Sequence, residues 1–152
     1  MQMSDHSANV TVFKSRVIPC PAEPLWAMLR DFDSPRLWNP GVAKVELSAG
    51  CHDIGCVRAL FIHDGKIFRE RLLACDDDEC VVTHAMVDCP MPVSDYVASN
   101  RVIPITATGQ SLAIWQSRFR CRPEDQQELA RYFGVSAYEE GLEGIEKMML
   151  SS

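Results

Sequence analysis

Residues 56–75, CVRALFIHDGKIFRERLLAC, predict a β-hairpin on which the rest of the fold is built. Two apolar-rich runs are separated by the loop His63-Asp64-Gly65. A three-residue hairpin loop ends in a residue at positive φ, and Gly65 stands at that position. With this loop, Arg58 lies directly opposite Glu70.

A two-residue Asp64-Gly65 turn is the alternative, and it shifts the strand register by one residue. Arg58 would then face Arg71, which is electrostatically unfavourable, so we expect the three-residue loop. One face of the hairpin is then mostly apolar and carries Arg58, Leu60, Ile62, Phe68, Glu70, Leu72 and Ala74. The other face carries the unopposed Arg69 and Arg71 and is predicted to be wetter.

The Arg58/Glu70 pair on the inner face of this hairpin is costly to remove from water. A charged pair in such a place indicates either a functional site or a structural clamp that sets the register of the two strands. The residues alone leave both interpretations open.

The composition of the chain is typical of one globular domain: 152 residues, 47% hydrophobic and 24% charged. The net charge of -6 argues against nucleic acid or an anionic membrane as a partner, because both bind basic patches. We see neither an apolar run long enough to span a membrane nor the start of a secretory signal. We therefore expect a cytoplasmic protein without membrane insertion, either a monomer or a homodimer.

The seven cysteines, at positions 20, 51, 56, 75, 80, 89 and 121, do not have the spacing of a zinc site. We interpret them as free thiols that pack as small apolar side chains. Cys75 and Cys80 flank the acidic turn at 76–79, which suggests the hypothesis that these two thiols face each other and oxidise in air. The acidic turn lacks the ligand spacing of a calcium loop, so we expect no metal and no cofactor.

With the hairpin included, the chain predicts the order of one strand, two short helices, six strands and a long helix. The expected strands are at 9–18, 42–48, 56–62, 66–75, 80–88, 93–103 and 111–121, and the expected helices are at 23–32, at 34–40 with Ser34 as N-cap, and from Pro123 onward. The last strand alternates clearly. Its inner face is predicted to carry Ala113, Trp115, Ser117, Phe119 and Cys121.

The final helix has an apolar stripe that includes Phe133, Tyr138 and Leu142. Its glycines, Gly134, Gly141 and Gly144, each cost about 1 kcal/mol relative to alanine. We therefore expect either a bend near Gly134 or a close approach that needs small residues.

This element order resembles the polyketide cyclase/dehydrase branch of the SRPBCC superfamily, which includes START domains and birch-pollen-allergen-like proteins. The resemblance covers about residues 10–150. It is carried by LWAMLRDFDSPRLWNP (25–40), GCVRAL (55–60), ERLLACDD (70–77), SDYVAS (94–99) and EEGLEGIEKMM (139–149). The resemblance implies a single α+β helix-grip domain over 1–152, with an ordered core at about 9–150, in which a curved antiparallel sheet of about seven strands wraps around the C-terminal helix. It also implies a cavity for a small apolar ligand such as a lipid, sterol or polyketide.

Within this branch, VR before the hairpin loop, FRERLL after it and DYVAS further on are similar to the plant lachrymatory-factor synthases. That similarity implies a polar site made of Arg58, Glu70 and Tyr96, the residues that match those associated with rearrangement of a sulfenic acid in the synthases. The remaining candidates for ligand contact are Trp38, Leu60, Phe68, Asn100, Trp115, Phe119 and Leu142. His84 is expected on the outer face, because pairing Cys75 with Cys80 places it there.

Three functions are consistent with these observations. The leading hypothesis is a protein that binds or carries a small apolar molecule. The alternative is a cofactor-independent cyclase, dehydratase or isomerase in which Glu70 moves protons and Arg58 stabilises negative charge. The third is a module that binds another protein, since the superfamily includes cochaperone domains.

Overall fold

Seven strands form the sheet of the computed structural model, which describes residues 7–48 and 53–151. They are β1 (Ala8–Ile18), β2 (Val42–Leu47), β3 (Val57–Ile62), β4 (Ile67–Asp76), β5 (Val81–Asp88), β6 (Ser94–Ile105) and β7 (Gln110–Cys121). All neighbouring strands are antiparallel, in the order β1-β7-β6-β5-β4-β3-β2. The first strand of the chain therefore pairs with the last one.

The helices are α1 (Ala22–Leu29), α2 (Pro35–Trp38) and a C-terminal helix over 126–150 that is introduced by a 3₁₀ turn, Pro123–Asp125. The C-terminal helix has three parts: α3 (Gln126–Arg131), a π-helical segment (Tyr132–Glu139) and α4 (Glu140–Leu150). At the end of the π-helical segment, the Glu140 N–H donates to the Val135 carbonyl five residues back. This architecture confirms the predicted α+β helix-grip fold.

The β3–β4 hairpin has the predicted three-residue loop. Gly65 has φ of +97°, and the Ile62 N–H donates to the Lys66 carbonyl at 2.9 Å. Arg58 is the register partner of Glu70, as predicted from the loop. The electrostatic argument against the shorter turn therefore identified the correct register.

The predicted register of β4 with β5 is wrong, and so is the predicted position of His84. Cys75 pairs with Val82 and not with Cys80, and a bulge between Leu72 and Ala74 then places one extra residue in β4. His84 consequently lies opposite Leu72 on the inner face, where it is 1% exposed. The same bulge turns Ala74 outward, although we expected it on the inner face.

The glycines of the C-terminal helix mark close approaches to its neighbours. A Cβ on Gly144 would lie 1.8 Å from the Trp38 carbonyl oxygen, and one on Gly141 would lie 2.6 Å from the Trp115 ring. A Cβ on Gly134 would lie 3.1 Å from the flexible end of the Lys14 side chain and 3.5 Å from Val12 Cγ1, an ordinary contact distance. Gly141 and Gly144 therefore let the helix contact α2 and β7 closely. Gly134 lies inside the π-helical segment, so the irregularity expected near this glycine is a change from α-helical to π-helical geometry.

Ser34 precedes α2 but does not cap it, contrary to expectation. Its hydroxyl makes no cap hydrogen bond and instead accepts the Trp38 indole N–H at 3.0 Å. The four-residue helix ends at Trp38, so this bond fixes the indole rather than the helix terminus.

The cysteine expectation needs one correction. Cys20, Cys75, Cys80, Cys89 and Cys121 are free thiols, but Cys56 is disulfide-bonded. Spacing in the sequence does not reveal pairing, because pairing depends on distances in the folded chain. The hypothesis that Cys75 and Cys80 face each other is wrong, because Cys75 pairs with Val82 and both thiols are free. Cys51 lies outside the described residues.

Candidate functional site

The centre of the candidate site is a buried ion pair between β3 and β4. Arg58 Nε and Nη2 each lie 2.9 Å from Glu70 Oε1, and both residues are 6% exposed. They are cross-strand partners on the inner face, so the hairpin register alone brings the two charges together. Burial of this ion pair costs desolvation energy, and further hydrogen-bond partners of Arg58 are needed to offset that cost.

Those partners come from Phe32, in the connection between α1 and α2. Arg58 Nη1 donates to the Phe32 carbonyl at 2.9 Å, and the guanidinium carbon lies 4.1 Å from the centre of the Phe32 ring. The carbonyl satisfies one donor and the ring adds a cation–π contact. Arg58 is therefore held from three sides.

His84 is the third member of the buried polar cluster. Its Nε2 lies 3.4 Å from Glu70 Oε2, but neither ring nitrogen makes a hydrogen bond of ordinary geometry with the described residues. The Phe32 ring lies beside it, with ring centres 6.4 Å apart. His84 thus contacts the oxygen of Glu70 that Arg58 does not use.

The ionisation of Glu70 follows from these neighbours. Burial by itself would raise the pKa of Glu70, but the neighbouring His84 and Arg58 outweigh burial and lower this pKa to about 2. Glu70 is therefore a carboxylate at neutral pH.

A second polar group on the inner face is a pair of tyrosines. The hydroxyls of Tyr96, on β6, and Tyr138, on the π-helical segment, are hydrogen-bonded to each other. Burial, Tyr138 and Glu70 raise the pKa of Tyr96 well above its usual value, and burial likewise raises the pKa of Tyr138. Both phenols therefore stay protonated at neutral pH.

The Arg58–Glu70 pair and the two tyrosines face a cavity of about 90 Å³ between the sheet and the C-terminal helix. The sheet contributes Arg58, Leu60, Phe68, Glu70, Tyr96 and Trp115 to its wall. The C-terminal helix contributes Tyr132, Phe133, Ser136, Ala137 and Tyr138, all of them from the π-helical segment. The region of α2 contributes Pro35, Trp38, Asn39 and Gly41.

Seven of the ten candidate residues named from the sequence line this cavity. They are Arg58, Glu70, Tyr96, Trp38, Leu60, Phe68 and Trp115. Asn100, Phe119 and Leu142 are buried but do not line it. Phe119 packs behind the wall, with its ring centre 5.9 Å from that of Tyr96 and 5.4 Å from that of Phe133.

Two polar residues of the site were missed by sequence reasoning. His84 was placed on the wrong face, because a bulge leaves no signal in the sequence pattern that we used. Tyr138 was recognised only as part of an apolar helical stripe, and nothing in that stripe indicated which hydroxyl it would meet. Within residues 7–48 and 53–151, no group of three or more His, Cys, Asp or Glu side chains is placed to hold a metal ion.

The described helices are all too short or too polar to cross a bilayer. Together, the antiparallel sheet, the C-terminal helix and the cavity between them define a helix-grip protein.

The family described as "Polyketide cyclase / dehydrase and lipid transport" matches residues 9–149, and the chain belongs to this family. The match confirms the resemblance seen in the sequence.

Solved structures of similar proteins agree with this assignment. The protein XoxI from Bacillus cereus is 27% identical, with 93% of this chain and 96% of that chain covered at a TM-score of 0.83. An uncharacterised protein from Bacillus thuringiensis is also 27% identical, with 93% and 99% covered at a TM-score of 0.82. Norcoclaurine synthase from Thalictrum flavum, solved in complex with dopamine and hydroxybenzaldehyde, is 15% identical, with 99% and 93% covered at a TM-score of 0.78, and shares the fold.

Proposed function

We propose that this protein binds a small, largely apolar molecule in the cavity between the sheet and the π-helical segment. The observation that carries the proposal is the cavity itself, which has aromatic walls and a buried Arg58–Glu70 pair facing it. Apolar pockets with a few fixed polar groups are the usual form of small-molecule sites. The family description, which includes lipid transport, supports the same class of function.

The size of the cavity limits the ligand. Pockets for drug-sized molecules span roughly 300–1,000 Å³, whereas this one has about 90 Å³. A lipid or sterol would require the helix to move away from the sheet. The proposal therefore favours a compact ligand over a long one.

The function of the polar groups is to orient this ligand. Arg58 donates one hydrogen bond to Glu70 and one to the Phe32 carbonyl, its Nη2 is in ion-pair contact with Glu70, and it retains unused N–H groups. Tyr96 presents its hydroxyl from the neighbouring wall. These residues act as anchors, and the aromatic rings supply the contact area.

The enzymatic alternative assigns Glu70 the role of general base. An effective base has a pKa near the working pH, and the pKa of about 2 for Glu70 lies far below it. The observed electrostatics therefore favour binding over proton transfer by this carboxylate. Should a substrate be found, loss of turnover in Glu70→Gln with unchanged affinity would restore the enzymatic alternative.

Native mass spectrometry of the purified protein, followed by denaturing extraction, tests the binding proposal. A retained small molecule should be lost in Ala137→Leu, because this side chain lines the cavity and a larger one fills it. Ala130→Leu is the matched control, since Ala130 is half-buried on α3 and does not line the cavity.

If the wild-type protein is purified empty, ethylbenzene serves as the probe, and its binding is followed by NMR shifts of the protein methyl groups. Equal binding to wild type and Ala137→Leu would place the ligand elsewhere on the molecule and contradict the proposal.

A further inference from the structure

The wall of the cavity contains a buried donor without an acceptor. Trp115 Nε1 has no hydrogen-bond partner among the described residues, and the indole is 7% exposed. An indole nitrogen only donates, so burial without an acceptor costs free energy. Trp115 lines the cavity and stacks on Tyr138 with ring centres 4.6 Å apart. The wall at Trp115 and Tyr138 therefore has unused donor capacity among the described residues and no matching acceptor.

A second hydrogen-bond donor without an acceptor is a hydroxyl of the Tyr96–Tyr138 pair. Two phenols carry two hydroxyl protons, and the hydrogen bond between Tyr96 and Tyr138 uses one of them. Ser117 Oγ, on β7, lies near both hydroxyls, and a hydrogen bond that it donates opposes the rise in their pKa values. As a donor, Ser117 does not take up the second phenolic proton. One phenolic proton is therefore available on a wall of the cavity.

The charges of the site disfavour an ionic ligand. Glu70 is ionised, and its charge is balanced by Arg58 at 2.9 Å. A carboxylate ligand would lose its hydration in the cavity without meeting a net positive charge, and burial of an unpaired charge is unfavourable. A cationic ligand faces the same cost beside Arg58.

The shape of the cavity selects a flat ligand. The walls include the rings of Trp38, Phe68, Trp115 and Phe133. With about 90 Å³ between them, the space suits one ring rather than several. Flat rings pack against aromatic walls with favourable edge and stacking contacts.

We propose that the ligand is an uncharged, single-ring aromatic molecule with a carbonyl-type oxygen, which accepts a hydrogen bond from the Tyr96–Tyr138 pair. This inference rests on the proposed function and specifies its ligand class. The oxygen supplies the acceptor that the protein lacks, and the ring occupies the aromatic part of the cavity.

The test compares three probes of similar size: acetophenone, ethylbenzene and benzoate. Dissociation constants are measured at pH 7 by NMR titration of the protein methyl groups. We expect acetophenone to bind about fivefold more tightly than ethylbenzene, the advantage of one net hydrogen bond. Benzoate should bind more weakly than acetophenone.

The double variant Tyr96→Phe/Tyr138→Phe removes both hydroxyls and keeps both rings. Replacing both partners of a buried hydrogen bond by apolar groups of the same shape is close to neutral for stability, so this variant should fold. We expect it to bind acetophenone and ethylbenzene equally. Ser111→Ala is the control, because it removes a different buried hydroxyl, bonded to the Cys20 carbonyl at 2.7 Å, and should keep the fivefold preference.

The outcomes separate this inference from the proposed function. If ethylbenzene binds and acetophenone binds no better, the inference is overturned while apolar binding stands. A preference for benzoate, or a fivefold preference that persists in the double variant, also overturns the inference. If none of the probes binds to the wild-type protein, the proposed function fails together with the inference.

Discussion

Two buried charged side chains, Arg58 and Glu70, form the centre of the site. Arg58 and Glu70 satisfy each other, and Phe32 satisfies another donor of Arg58. The stability of this arrangement depends on both partners, because removal of one leaves the other buried without compensation. The pair therefore serves the register of the hairpin as well as the cavity.

Replacement of Arg58 tests this dependence. Arg58→Met should lower the free energy of unfolding by about 3–5 kcal/mol, because the Glu70 carboxylate would then lie buried without its main partner. The double variant Arg58→Met/Glu70→Met should recover most of the loss. Urea unfolding at pH 7 measures both effects.

The control for this experiment is an ion pair on the opposite face of β4, the strand that carries Glu70. Arg69 lies 3.3 Å from Asp88, with side chains 45% and 61% exposed. Arg69→Met should change the stability by less than about 1 kcal/mol, because water screens exposed pairs. Equal losses in the two single variants would show that burial does not govern the Arg58 pair.

Elements meet in this fold at distances that the residue pattern alone does not reveal. The C-terminal helix approaches the backbone at Trp38 so closely that only glycine fits at position 144. The same helix widens into π-helical geometry over Tyr132–Glu139, the stretch that faces the cavity. π-helical turns are frequent at functional sites, and here this segment supplies all the residues of the C-terminal helix that line the cavity.

Gly144→Ala and Gly134→Ala form a matched pair that tests the close approach. Helix propensity alone predicts a gain of about 1 kcal/mol for each substitution. We expect Gly144→Ala to lose at least about 2 kcal/mol, because the new methyl group would collide with the Trp38 carbonyl and overpack the contact. Gly134→Ala should stay within about 1 kcal/mol of wild type, since the Lys14 side chain can move aside.

Thermal unfolding followed by circular dichroism distinguishes the two variants. A melting temperature for Gly144→Ala at or above the wild-type value would contradict the packing of α4 against the end of α2.

At the scale of the whole molecule, the buried Glu70 carboxylate makes the free energy of unfolding depend on pH. The pKa of Glu70 falls from an ordinary 4.5 in the unfolded chain to about 2 in the folded protein. Its contribution is therefore fully present above pH 4.5 and is lost as the pH falls from about 4.5 to about 2. The contribution amounts to roughly 3 kcal/mol.

Urea unfolding at pH 7, 5 and 3 measures this loss. The wild-type protein should lose more stability between pH 5 and pH 3 than Glu70→Gln, because the glutamine amide does not titrate. Titration of the Glu70 carboxyl carbon by NMR checks the cause directly. A midpoint near 4.5 would contradict the expected carboxylate, as would parallel stability curves for the two proteins.

The sequence predicted much of this protein through local rules. Alternating apolar residues identified the strands, proline and glycine marked their ends, and the loop at Gly65 fixed the partnership of Arg58 with Glu70. These features depend on residues that are close in the chain or related by one short turn, so their physical causes are visible in the sequence. The family resemblance added the helix-grip arrangement and the expectation of a cavity.

The tertiary structure decided what depends on distant parts of the chain. A single bulge in β4 moved His84 to the inner face, because one extra residue reverses every side chain beyond it. The contact of Tyr96 with Tyr138 joins β6 to a π-helical segment, and no local pattern relates these two residues. The volume of the cavity likewise depends on how closely the helix packs against α2 and β7, which is set by the contacts of Gly144 and Gly141 in the folded chain.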